Sequence, residues 1–130
     1  MAAILSKPEA IEAINRESAS SLNLNNNNTH FSNVNSSKSV WWFDIPVVKF
    51  TSGKYDALNL LVVSADAKTM HHLRVPTSYV RDNLCHFHVR EDKNTISLEL
   101  SSQNSNKFQD VRPGSGNMPF SQFVVKTLVF

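Results

Sequence analysis

On either side of Glu91-Asp-Lys-Asn94 the chain carries two alternating segments, Cys85-His-Phe-His-Val-Arg90 and Thr95-Ile-Ser-Leu-Glu-Leu100. Alternation sends successive side chains to opposite faces of an extended strand, and two such runs joined by a short polar loop read as an antiparallel hairpin. The loop predicts the facing pairs Arg90–Thr95, Val89–Ile96, His88–Ser97, Phe87–Leu98, His86–Glu99 and Cys85–Leu100. Apolar then meets apolar throughout, whereas a slip of one residue sets Phe87 against a polar partner. A sheet with one buried face is the consequence.

The neighbouring segments supply further strands. Ser39 to Phe50 alternates, with Trp41, Phe43 and Ile45 on one face and Val40, Trp42 and Asp44 on the other, and Pro46 stops, bulges or edges the strand because it cannot donate to a ladder. Ala57-Leu-Asn-Leu-Leu-Val-Val-Ser64 is apolar on both faces from Leu60 onward, as in a covered central strand. Thr69 to Val75 alternates again, and Pro76 ends it before a short helix over Thr77–Leu84. Residues 101–119 have no sustained period and read as a long loop. In the C-terminal segment Phe120, Phe123, Val124 and Leu128 fit a helical face while Val125, Val129 and Phe130 fall outside it, so a helix and a helix changing to a terminal strand compete.

Composition breaks near residue 39. Residues 18–38 are rich in serine and asparagine and poor in apolar groups that would offset the entropy of ordering, so they read as a linker. Upstream, Ser6-Lys-Pro-Glu9 has the spacing of a capping box with proline in the first turn, which predicts a helix over about 7–17. Ile11 and Ile14 form its narrow apolar stripe, too short to hold a helix alone, so it docks on its own domain or on another chain. The expected architecture is α+β: 1–17 a tethered helix, 18–38 a linker, and 39–130 a single small domain with a mainly antiparallel sheet of about five strands and a short inserted helix.

One hundred and thirty residues with 41% hydrophobic content suffice for one ordinary core. The mainly apolar run Leu58–Val63 is far shorter than the roughly 20 residues of a membrane-spanning helix, and no secretory leader pattern opens the sequence. A single cysteine, Cys85, suits a reducing compartment, and the expected setting is cytoplasmic with no membrane association. Thirteen Lys and Arg against 11 Asp and Glu is mildly basic, without the density of a nucleic-acid tail.

Three groupings could carry function. The hairpin register gathers His86, His88 and Glu99 on one polar face, a His-x-His spacing that metal sites use, with His72 as a fourth ligand if its strand is adjacent; the plainer reading is a solvated sheet face. A magnesium-nuclease pattern fails because Glu99-Leu-Ser101 has serine where such sites place lysine. Cys85 faces inward in this register, as inert core thiols do. In the long loop Lys107, Phe108 and Arg112, with Arg74 on the body, combine cations and an aromatic ring as nucleic-acid contacts require, although Phe108 equally serves to anchor the loop. Ile11 and Ile14 offer a contact for a partner.

No catalytic constellation is complete. The expected function is therefore a non-enzymatic intracellular binding or assembly module, with no cofactor, engaging a protein partner or a second copy through the N-terminal helix or C-terminal segment. The alternatives are a nucleic-acid-associated protein using loop 101–119, and an enzyme dependent on a divalent metal at His86, His88 and Glu99.

Overall fold

The structure, a computed structural model, describes residues 6–18, 23–35 and 37–130. In chain order these form α1 (Lys7–Glu17), β1 (Thr29–Asn35), β2 (Val40–Pro46), α2 (Val48–Thr51), β3 (Ala57–Val63), β4 (Thr69–Pro76), α3 (Thr77–Arg81), β5 (His88–Arg90), β6 (Thr95–Ser101) and β7 (Val124–Val129), with single 3-10 turns at Leu84–His86 and Ser121–Phe123. The fold is α+β. Its sheet has seven strands in the order β5-β6-β2-β1-β3-β4-β7, and it is mixed, because β1 runs parallel to β3 while every other pair is antiparallel. The expected five-stranded, mainly antiparallel sheet lacked β1 and β7.

Strand β1 also corrects the linker reading of 18–38. Residues 29–35 sit near the middle of the sheet, with five parallel pairs to β3 from Thr29↔Asn59 to Asn33↔Val63. The asparagines leading into it are ordered by their own side chains: Asn25 Oδ1 accepts from the amides of Asn27 (2.9 Å) and Asn28 (3.0 Å), and Asn28 Oδ1 accepts from Asn25 N at 2.9 Å. Local bonding of this kind competes with regular structure in an isolated chain, but here it shapes a turn into a strand. Residues 19–22 lie outside the described residues.

Only two pairs, Val34↔Trp41 and Asn35↔Val40, join β1 to β2. The sheet therefore divides into a β1-β3-β4-β7 half and a β2-β6-β5 half that enclose one core. Trp41, Phe43 and Ile45 of β2 and Ile96, Leu98 and Leu100 of β6 pack with Leu58, Leu60 and Val62 of β3 and Leu73 and Val75 of β4. The Trp41 indole Nε1 donates to Val63 O at 2.9 Å across this space. The other face of β3 and β4 is covered by α1, whose Ala10, Ala13 and Ile14 pack on Leu61, Val63, Met70 and Leu128. Burial on both faces explains the near-continuous apolar run of β3.

Helix α1 starts as its capping sequence requires, with Ser6 Oγ accepting from Glu9 N at 3.4 Å and donating to Glu9 Oε1 at 2.7 Å. Asn15 ties its far end to the next segment, donating from Nδ2 to Leu24 O (2.9 Å) and accepting from Leu24 N at Oδ1 (2.7 Å). The helix docks on its own chain, and Ile14 is buried there with Ile11 partly covered. The α3 helix is shorter than expected, and the C-terminal segment resolves into a 3-10 turn and strand β7.

The hairpin register holds for its first three pairs, His88↔Ser97, Val89↔Ile96 and Arg90↔Thr95. Beyond them the expected His86–Glu99 and Cys85–Leu100 pairs do not form, because another segment occupies that edge of β6. Residues 108–111 bond there instead, through Phe108 N to Ser101 O (2.8 Å), Ser101 N to Gln109 O (2.9 Å) and Val111 N to Glu99 O (2.8 Å). Displaced, the chain turns through Leu84–His86, leaving Cys85 and His86 exposed while Phe87 stays buried.

Candidate functional site on the outer face of the sheet

Four residues expected to gather around a metal are placed on different elements. His86 is in the 3-10 turn, against Gly116, whose amide donates to His86 O at 2.8 Å. His88 faces Ser97 on β5, and the cross-strand neighbour of Glu99 is Trp42. His72 lies in the other half of the sheet, fully buried, where its ring Nε2 is 2.8 Å from Asn59 Oδ1. Asn59 Nδ2 donates to Asn28 O, so its oxygen faces the imidazole and the ring proton sits on Nε2. Burial, then the charge of Arg74, lowers His72 to about 4, which keeps it neutral. Among the described residues no three His, Cys, Asp or Glu side chains converge.

The loop residues are likewise separated. Phe108 is buried and stacks on Trp41, with ring centroids 5.5 Å apart and planes 12° from parallel, so it anchors the loop to the core. It does so at a φ of +68°, a left-handed conformation that costs a bulky residue energy and that the aromatic packing holds in place. Lys107 lines a cavity of about 410 Å³ with Trp41, His71 and Thr69. Arg74 is exposed on β4, and Arg112 is turned onto Glu99.

Around Glu99 a different site forms. Strand β6 turns Thr95, Ser97, Glu99 and Ser101 away from the core, and β2 does the same with Val40, Trp42 and Asp44. Glu99 is only 5% exposed, and its carboxylate is held by Arg112 Nη1 at 2.9 Å and Lys38 Nζ at 3.5 Å. Trp42 stands beside it, 49% exposed, with its indole Nε1 donating to Ser97 Oγ at 3.0 Å. Asn35, Lys38, Val40, Trp42, Glu99 and Arg112 line a cavity of about 200 Å³. Further along the same face Arg90 meets Asp44 at 3.3 Å, and Thr95 Oγ1 donates to the same carboxylate.

Asp110 stands behind the cavity and is fully buried. Its Oδ1 accepts from Glu99 N at 3.1 Å and Arg112 N at 3.3 Å, while Oδ2 has no partner among the described residues. Burial raises its carboxyl to about 6, the two amide bonds pull the other way, and the Glu99 charge adds to the rise. Among the described residues the buried Nε of Arg112 also has no partner, and its guanidinium bonds only Glu99. The site is thus a fixed aromatic wall beside a carboxylate that two cations hold.

Alternation of Trp41-Trp42 did place one tryptophan outward. The partnership of Glu99 with Arg112 and Lys38 left no signal in the sequence, because both cations arrive from irregular segments whose path depends on which chain fills the edge of β6. No protein-family model, curated protein or solved structure matches the chain.

Proposed function

We propose that this chain is a non-enzymatic binding module that receives a protein partner on the outer face of β2 and β6, with Trp42 as the anchor. The observation that carries this is the state of Trp42, which is half exposed yet held by its bond to Ser97. A pre-fixed indole loses little freedom on association, and tryptophan within a rim of polar groups is the residue type that dominates binding energy at protein interfaces. Glu99 supports binding over chemistry: to act as base or nucleophile it would have to leave Arg112 and Lys38. The exposed Lys38 ammonium beside the indole favours a segment that presents an apolar or aromatic residue next to Asp or Glu.

A displayed-peptide library tests this reading. The wild-type chain is expected to enrich such segments, and Trp42→Ala to lower their affinity by about 2 kcal/mol, roughly thirtyfold, with an unchanged circular dichroism spectrum. Equal enrichment on both proteins would remove Trp42 as the anchor.

A further inference from the structure

Three lysines gather at the corner where the α1 N-terminus, the asparagine turn and α2 meet, away from the Trp42 face. Lys7 Nζ donates to Asn26 O at 3.0 Å, and Lys49 Nζ donates to the next carbonyl, Asn27 O, at 2.6 Å. Lys49 also donates to His30 Nε2 at 3.3 Å, which leaves the ring proton on Nδ1. Lys54 belongs to the same corner, lining with Lys49 and Tyr55 an open cavity of about 330 Å³. Among the described residues none of these cations makes a salt bridge, and residues 1–5, 19–22 and 36 carry no Asp or Glu.

Like charges brought together with partial loss of solvent and no counter-charge are an unfavourable arrangement that an anion relieves. Two consequences are visible in the groups themselves. Burial lowers Lys7 and Lys49 from their ordinary values, and each is lowered further by a neighbouring lysine. Burial also lowers His30 to about 3, with the charges of Lys49 and Lys7 adding to it. The Lys7 and Lys49 ammonium groups are nevertheless fixed by backbone carbonyls, and each retains N–H donors that those carbonyls do not use.

We propose that Lys7, Lys49 and Lys54 form a binding site for a phosphate group, supplied either by a free phosphate compound or by the backbone of single-stranded nucleic acid. The lysines provide charge and hydrogen bonds to the phosphate oxygens. The asparagine turn acts as the frame that sets the spacing of Lys7 and Lys49.

Two probes separate the sources: inorganic phosphate, compared with chloride at equal ionic strength by thermal melting, and a labelled short oligothymidylate, followed by anisotropy across a salt series. Stabilisation by phosphate that disappears in the Lys7→Gln/Lys49→Gln double variant assigns the site to small phosphate compounds. Oligothymidylate binding without a phosphate effect, falling at least tenfold in the double variant and losing about one unit of salt slope per lysine, assigns it to nucleic acid. Lys54→Gln, whose ammonium holds no backbone carbonyl, is expected to weaken either response partly, and Arg16→Gln on the same helix to leave it unchanged. These two variants keep the test decisive if the double variant is poorly folded. No response of the wild-type chain to either probe, or a response equal in the lysine variants, overturns the proposal.

Discussion

Asp110 and Glu99 are joined by a hydrogen bond from the Glu99 amide to Asp110 Oδ1, while their carboxylates meet different surroundings: Glu99 has two cations, and the second oxygen of Asp110 has no partner among the described residues. Burial accordingly raises Asp110 from 3.8 to about 6. Between those values the folded chain holds a proton that the unfolded chain has released, so stability falls as pH rises through this window, and the cost is complete above it. By the usual conversion it is about 3 kcal/mol. Asp110→Asn keeps an oxygen for both amides and places an NH₂ where Oδ2 stands alone. Urea unfolding of this variant is expected to show that limb flattened and stability at neutral pH equal to or above wild type. A less stable variant with the limb intact would mean that Asp110 is charged and paired in the fold.

His72 has the opposite sign. Its folded value of about 4 lies below the ordinary 6.5, so the stability it contributes is full above 6.5 and is lost as pH falls toward 4. At pH 5 the loss is about 2 kcal/mol. His72→Gln retains a donor for Asn59 Oδ1 and cannot protonate, so it should remove this part of the acid limb. Because the Asp110 and His72 windows overlap with opposite slopes, wild-type unfolding alone shows only their difference, and the two single variants separate them. An unchanged acid limb in His72→Gln would show that the imidazole protonates in place.

Ile14 is expected to behave as a core residue of this chain. Ile14→Ala should cost about 2–5 kcal/mol, as large-to-small changes in packed cores do, while partly covered Ile11→Ala costs about 1 kcal/mol. Thermal melting measures both, and light scattering is expected to give the same mass for the variants as for wild type. A changed mass without loss of melting temperature would return the helix to the role of partner contact.

Gly116 is glycine because His86 leaves no room: a Cβ there would stand 2.7 Å from His86 Nδ1 and 2.8 Å from its Cβ. Gly116→Ala should destabilise by about 1–2 kcal/mol, the usual cost of local overpacking. His86→Ala should suppress that loss in the double variant, as a double-mutant cycle would show. Additive losses would place the constraint in the backbone instead.

Much of the fold was legible where one physical cause dominated. The α1 boundaries follow from Ser6, Pro8 and Glu9, and the apolar run of β3 from burial on two faces. The three pairs nearest the Glu91–Asn94 loop follow from alternation. What escaped was decided by competition between distant segments. Phe108–Val111 holds the edge of β6 that Cys85 and His86 would have needed, and no local pattern in 101–119 announces it. Strand β1 escaped because Ser32, Asn33 and Asn35 are poor strand formers in a segment that β3 and β2 bind from either side. The site inherits the same limit: Trp42 and Glu99 lie on legible strands, but Arg112 and Lys38 reach them from irregular segments.

The division of the sheet at the β1–β2 junction sets a timetable for synthesis. Strands β3 and β4 are adjacent in the chain and can pair as soon as both are made, and β1 precedes them, ready to join β3. Strand β2 has seven pairs waiting with β6, but β6 is about 50 residues further along, so at typical translation rates of about 5–20 residues per second it stays unmatched for several seconds. During that interval the Val-Trp-Trp-Phe segment is held by a two-pair hairpin to β1 and little else. The same strand that presents Trp42 on the finished surface is therefore, during synthesis, an apolar segment whose unpaired edge is open to aggregation.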